Sequence, residues 1–147
     1  MNILIRISRR LALLAVLAFA AACSPEEPAS PDAGDLDRLA ALAARVEIIR
    51  DDYGVPHVYG ETDADAVFGM LYAQAEDDFP RIERNYTWAI GRLAEVEGED
   101  AIFSDLRARL YMTVDAARAA YQSAPGWLKE LCDAWADGLN YYLLTHP

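Results

Sequence analysis

Val46-Glu-Ile-Ile-Arg-Asp-Asp-Tyr-Gly-Val-Pro-His-Val-Tyr-Gly60 is the stretch that decides how this chain folds. Val46, Ile48 and Ile49 are β-branched strand formers. Asp51-Asp52-Tyr53-Gly54 supplies turn chemistry, with Gly54 free to adopt positive φ. Val55 precedes a proline and is therefore held extended. The return strand runs through Pro56, His57, Val58 and Tyr59, and Gly60 closes it. The pattern predicts two short strands around a tight turn, with export and tether before them and helices after.

Upstream, Met1 to Ala22 has the three parts of a secretory signal. Arg6, Arg9 and Arg10 form the charged start, Leu11 to Phe19 the apolar run, and Ala20-Ala21-Ala22 the small residues before a cleavage site. A membrane-spanning helix needs about 20 apolar residues, and this run is too short for that. Cys23 after three alanines resembles a bacterial lipobox, although Ala20 stands where leucine is commoner. That resemblance implies a lipid attached at Cys23 as the new N-terminus; ordinary cleavage near Ala22 is the alternative. Ser24 in place of Asp resembles outer-membrane sorting. The expected location is therefore exported and periplasmic, as a membrane-anchored lipoprotein of a Gram-negative bacterium. Residues 23–44 then hold the acidic Pro/Ser spacer Ser24-Pro-Glu-Glu-Pro-Ala-Ser-Pro-Asp-Ala-Gly34 and a short helix over 35–45 with Asp35 as its N-cap.

The charge balance excludes whole classes of partner. The chain carries 24 acidic against 13 basic residues, a net charge of −11, and about −14 once the three leader arginines are removed. Nucleic acid wants a basic face to displace counterions, so no nucleic-acid partner is expected. Acyl chains at Cys23, and not charge, would hold the protein to a membrane. Two cysteines, Cys23 and Cys132, make no disulfide scaffold.

Downstream of the hairpin, Thr62 or Asp63 caps a helix over Ala64 to Ala75 whose apolar residues occupy nearly every face, as in a buried helix. Gly69 in its middle implies close approach of another backbone. Glu76-Asp77-Asp78 interrupts the run, and Pro80 suits the first turn of a second helix along Phe79, Ile82, Tyr86, Ala89 and Ile90. A third helix is read from Phe103 through Leu106, Leu110, Val114 and Ala117 to Tyr121. A fourth presents Leu128, Leu131, Cys132, Trp135, Leu139 and Tyr142 on one face. The class is α+β, one hairpin and about four helices. Two strands make no stable sheet alone, so the expectation is the first part of something larger.

Candidate chemistry is sparse. His57 with Asp51 or Asp52 could form a base and its orienting group, but no serine or cysteine lies nearby in sequence, and a structural histidine is expected. Glu76, Asp77 and Asp78 are consecutive and cannot converge on one cation; capping and solvation are expected. Cys132 on an apolar helix face reads as a buried, inert thiol. Ser104 and Ser123 read as helix caps, and His146 carries no signal. No catalytic residue, no metal ligand and no substrate-binding residue is assigned.

Several of these stretches together resemble the penicillin acylase (penicillin amidase) family. Ile49-Arg-Asp-Asp-Tyr-Gly-Val-Pro-His-Val58 is similar to its opening motif. Phe68-Gly69 and Tyr72-Ala-Gln-Ala-Glu-Asp77 follow in order, then Gly91-Arg-Leu-Ala-Glu-Val-Glu-Gly98 and Trp135-Ala-Asp-Gly-Leu-Asn140. The resemblance implies an N-terminal nucleophile hydrolase with an αββα sandwich, of which residues 45–147 would be the start of the α chain. It implies a β chain, released from the same precursor, whose first residue is the nucleophilic serine. The serine's own α-amine, with a pKa near 8, would serve as base. Oxyanion donors and the ligands of a structural calcium ion are implied in the full-length enzyme beyond this chain. The substrate class implied is an acyl amide: a β-lactam, an N-acyl homoserine lactone or an acylated peptide. Asp78-Phe79-Pro80 and Asn85-Tyr86-Thr87-Trp88 depart from the penicillin acylases. An acyl-homoserine lactone acylase is therefore the alternative, and a non-catalytic helical lipoprotein that binds a partner is the reading from another class. On the leading expectation the chain by itself is an inactive N-terminal fragment.

Metabolic labelling with a fatty acid should mark the exported chain, and Cys23→Ser should abolish the label. Equal labelling of both forms would remove Cys23 as the attachment point.

Overall fold

The computed structural model describes residues 33–146. The leader, Cys23 and most of the spacer lie outside the described residues. Helix α1 spans Ala33–Ala43, β1 Val46–Arg50 and β2 Pro56–Gly60. They are followed by α2 (Asp63–Ala89), α3 (Ala94–Glu97), a single 3-10 turn (Glu99–Ala101), α4 (Ile102–Tyr111), α5 (Val114–Ser123) and α6 (Gly126–Thr145). No helix among the described residues is long and apolar enough to cross a membrane.

The hairpin forms as its residues dictate. β1 and β2 pair antiparallel in the register Val46↔Gly60 through Arg50↔Pro56. Asp51 organises the turn, its Oδ1 accepting from the amides of Tyr53 (2.9 Å) and Val55 (3.0 Å). Gly54, at φ +80°, supplies the left-handed residue the turn needs. Val46, Ile48, Pro56 and Val58 face inward, while Glu47, Ile49, His57 and Tyr59 face solvent.

Helix α2 starts on a reciprocal capping box. The Thr62 hydroxyl accepts from the Asp65 amide (3.1 Å), and the Asp65 carboxylate accepts from the Thr62 amide (3.2 Å). Asp65 is buried, and Arg45 at the mouth of β1 neutralises it at 2.6 Å. Helical geometry fails at Asp78 (φ −159°, ψ 68°), where the interruption was expected. Its Oδ1 accepts from the Arg81 amide (3.2 Å), so Asp78 caps the second half of α2 and Pro80 sits in that half's first turn.

The core lies where α1, α2 and α6 meet. Leu39, Phe68 and Ala134 are buried together, with Leu42, Val67, Tyr141 and Leu144 packed around them. Arg38 adds a bidentate bond to Asp137 at 2.6 and 2.8 Å, tying α1 to α6. Gly138 marks a close approach of α6 to α2: a Cβ there would run into the Phe68 carbonyl.

Several expectations are corrected. Helix α1 begins at Ala33, so Asp35 lies in its first turn and is not the N-cap. Gly69 makes room for the Val46 and Val58 side chains of the hairpin, not for a backbone. The third helix is two helices, because Met112 is extended (φ −148°, ψ 126°) and Thr113 caps α5 by accepting from the Ala116 amide (3.2 Å). Phe103, Leu106, Leu110 and Val114 are exposed, and so is every residue of α5. On α6 the seam is Ala134 and Gly138, which turns Trp135 and Cys132 outward. Small residues win that contact because backbone approach needs space, not bulk.

Gly138→Ala should destabilise the fold by roughly 1–3 kcal/mol, the usual cost of overpacking a tight contact. Urea unfolding measures it, and an unchanged midpoint would contradict the seam.

Candidate functional site

The candidate site is a cleft of about 530 Å³ between β1, the middle of α2 and the end of α6. Val46 and Ile48 form its strand wall, Phe68 and Gly69 its floor, and Tyr72 and Tyr141 its aromatic side. Arg50 and Glu76 close one end. A volume of that size is within the range of small-molecule sites.

Arg50 is the most heavily engaged side chain there. Its Nη1 donates to the Gly54 carbonyl (3.0 Å) and lies 2.8 Å from Asp77 Oδ1. Its Nη2 donates to Glu76 Oε2 (3.1 Å) and reaches the Ala73 carbonyl at 3.4 Å. The hydrogen bond it donates to Glu76 is the main reason its pKa is raised. One guanidinium thus fastens the hairpin turn to α2 through forked bonds that a lysine could not reproduce. Tyr72 is pushed above the usual phenol range, first by burial and then by the charge of Glu76, so its hydroxyl stays protonated.

These bonds place the acidic run. Glu76 and Asp77 go to Arg50, and Asp78 caps its helix while holding Arg81 Nε at 2.8 Å. Among the described residues no group of three acidic, histidine or cysteine side chains could hold a metal ion.

His57 faces solvent beside Asp51, Nε2 to Oδ2 at 3.3 Å, and Asp52 is not its partner. Among the described residues no serine, threonine or cysteine is one of its hydrogen-bond partners. The pair stands on the outer face of the hairpin, away from the cleft. Cys132 is exposed, correcting the buried thiol. Ser104 lies inside α4 and caps nothing; its Oγ accepts from Trp88 Nε1 at 2.8 Å. Ser123 ends α5 by donating to the Ala120 carbonyl (3.1 Å), and Pro125 occupies the N-cap of α6. His146 stacks on Tyr142 with ring centroids 4.4 Å apart, and Tyr142 stacks on Phe79 at 5.5 Å.

Sequence reasoning missed three contributors. Asp105 is buried and accepts from the amides of Leu93 (2.8 Å) and Ala94 (2.9 Å), anchoring the start of α3. Trp135 Nε1 donates to the Tyr86 hydroxyl across the two arms of the fold. The Tyr72–Tyr141–Tyr142 cluster at the cleft joins α2 to α6. The first had a local signal, an acidic residue in a helix's first turn. The other two join positions far apart in sequence and had none.

The penicillin amidase family profile matches residues 45–147. The chain is 35% identical over 111 residues to an acyl-homoserine lactone acylase (QuiP) of Pseudomonas syringae pv. tomato, covering 74% of this chain and 13% of that protein. It is 29% identical over 101 residues to the penicillin G acylase of Escherichia coli, covering 69% of this chain and 12% of that one. Its structure is similar to a thermostable penicillin G acylase from Alcaligenes faecalis, with TM-score 0.61 and 29% identity over 68% of this chain and 53% of that one. The chain therefore spans about an eighth of the length of the curated relatives it matches.

The Asp51 carboxylate is held below its ordinary value, chiefly by the Val55 amide and next by His57. Its contribution to the turn is thus present above the ordinary aspartate pKa, about 3.9, and lost as pH falls through the lowered native value. The amide shifts of Tyr53 and Val55 should titrate with a midpoint below that ordinary value, and Asp51→Asn should abolish the step. A midpoint at or above it would refute the arrangement.

Proposed function

Because the chain belongs to the penicillin amidase family, in its N-terminal region, we propose that it is the scaffold-forming opening of the α chain of an amidohydrolase. The reaction proposed is hydrolysis of the C–N bond joining an acyl group to an amine. The observation that carries this reading is the match over residues 45–147, which takes in the hairpin, its Arg50 clamp and the helices from α2 to α6. The described residues bring His57 to Asp51 but bring no nucleophile to His57. In this reading the nucleophilic serine, its α-amine base and the oxyanion donors therefore belong to the β chain of the same precursor. The hairpin would sit within the sheet layers of an αββα sandwich, with Arg50 holding its turn on α2.

Of the two substrate classes, N-acyl homoserine lactones are favoured over β-lactams. The 35% identity to a lactone acylase, against 29% to a penicillin G acylase, supports this order. The departures at Asp78-Phe79-Pro80 and Asn85-Tyr86-Thr87-Trp88 agree with it. In the structure these residues form the kink of α2 and the arm carrying Tyr86 and Trp88. The enzyme would act in the periplasm, tethered through lipid at Cys23, with the acidic spacer between membrane and domain.

The 147-residue chain should release no product from phenylacetyl or long-chain acyl amides. The polypeptide expressed from its own locus should cleave acyl amides, and lactones faster than β-lactams. Turnover by the chain alone would overturn the assignment of the chemistry to the β chain, and faster β-lactam cleavage would reverse the substrate order.

A further inference from the structure

We propose that the trough between the two limbs of α2 and Trp135 of α6 is a binding site for a neutral acyl amide, its acyl chain lying along the trough and its amide held by Gln74 and Asn85. The proposal rests on the functional reading above and deepens it, by naming residues that select for the length and charge of the ligand.

The trough exists because α2 is broken. Helical geometry fails at Asp78, so the residues on either side form two limbs and not one rod. Leu71 and Gln74, one turn apart, face the trough from the first limb. Ile82, Asn85, Tyr86 and Ala89 share one face of the second, at the i, i+3, i+4, i+7 spacing of a helical stripe. Trp135 lines the remaining side, and its Nε1 donates to the Tyr86 hydroxyl, which fixes both rings. The space between them is about 330 Å³, a volume suited to a small ligand.

The lining of the trough carries no charge. Four other cavities among the described elements each carry at least one arginine. In a chain with 24 acidic residues, an uncharged lining selects against ions, because a charged ligand would lose hydration there and meet no counter-charge. Leu71 is buried, whereas Tyr86 and Trp135 stay 41% and 38% exposed, so an apolar chain laid between them would take aromatic surface out of water.

Gln74 and Asn85 supply the polar end. Neither carboxamide has a hydrogen-bond partner among the described residues. Each offers an N–H donor and a carbonyl acceptor, the complement of the ligand amide's own two groups. An apolar chain ending in a neutral amide matches both halves of the trough, whereas a fatty-acid anion matches only the apolar half. N-acyl homoserine lactones have that neutral composition. Asn85 and Tyr86 also lie in the stretch that departs from the penicillin acylases, in agreement with the preference for lactones.

NMR of the 147-residue chain reads the site without any substitution, because the chain has three indoles, at Trp88, Trp127 and Trp135. On titration with butanoyl-, hexanoyl- and octanoyl-homoserine lactone, the Trp135 indole signal should move while that of Trp127, outside the trough, stays. The dissociation constant should fall about three- to fourfold per added methylene. Octanoate should bind at least about tenfold more weakly than the octanoyl lactone. Ala89→Phe, at an exposed position, should fill the trough and weaken octanoyl-lactone binding at least about tenfold, with a matching rise in KM for the polypeptide expressed from its own locus. A Trp135 signal that does not move would overturn the trough whatever the locus product cleaves. An octanoyl-lactone KM unchanged by Ala89→Phe would do the same while leaving the functional reading intact. Affinity independent of chain length, or equal for octanoate, would also overturn the proposal. Binding in the trough with the expected length dependence, beside a locus product that cleaves no acyl amide, would uphold the site and overturn the functional reading.

Discussion

The structure depends on how closely other elements can approach one turn of α2. On one side of Phe68-Gly69, the missing side chain of Gly138 lets α6 rest against the Phe68 carbonyl. On the other, the missing side chain of Gly69 admits Val46 and Val58 of the hairpin. Two glycines, one on each partner helix, thus set the distances from α2 to the sheet and to α6. Leu39, Phe68 and Ala134 are buried where those distances are short, and the packing around them is dense enough to be intolerant of added volume.

Polar contacts then fix orientation on that frame. Arg50 gathers the Gly54 and Ala73 carbonyls and the Glu76 and Asp77 carboxylates, so the hairpin's turn cannot swing away from α2. Arg45 with buried Asp65 does the same where β1 begins, and Arg38 with Asp137 closes α1 onto α6. Each uses an arginine, whose planar fork suits carboxylates and carbonyls together. The acidic surplus of the chain is thereby partly consumed inside the fold, and the acidic run at Glu76 to Asp78 becomes architecture.

The part of the molecule away from this frame is built differently. Helices α4 and α5 carry Phe103, Leu106, Leu110 and Val114 in the open, and α5 buries no residue. Their spacing is that of a core-facing stripe, yet among the described residues these side chains stay largely exposed.

Local signals determined a great deal here. The β-branched run, Asp51, Gly54 and Pro56 specify the hairpin, Thr62 with Asp65 starts α2, and Asp78 with Pro80 breaks it, all through bonds spanning four residues or fewer. The family too was legible, because its motifs lie on those same elements. Tertiary structure alone decided which face of α6 is buried, that Cys132 is exposed and Ser104 accepts from Trp88, and what Arg50 holds. It also decided that Ala134 and Gly138, and not the larger Leu128 to Tyr142 stripe, form the seam. The physical reason is range. A cap or turn is a bond to a near neighbour, whereas Arg38 and Asp137 meet across 99 residues of chain, at positions only the packed helices can set.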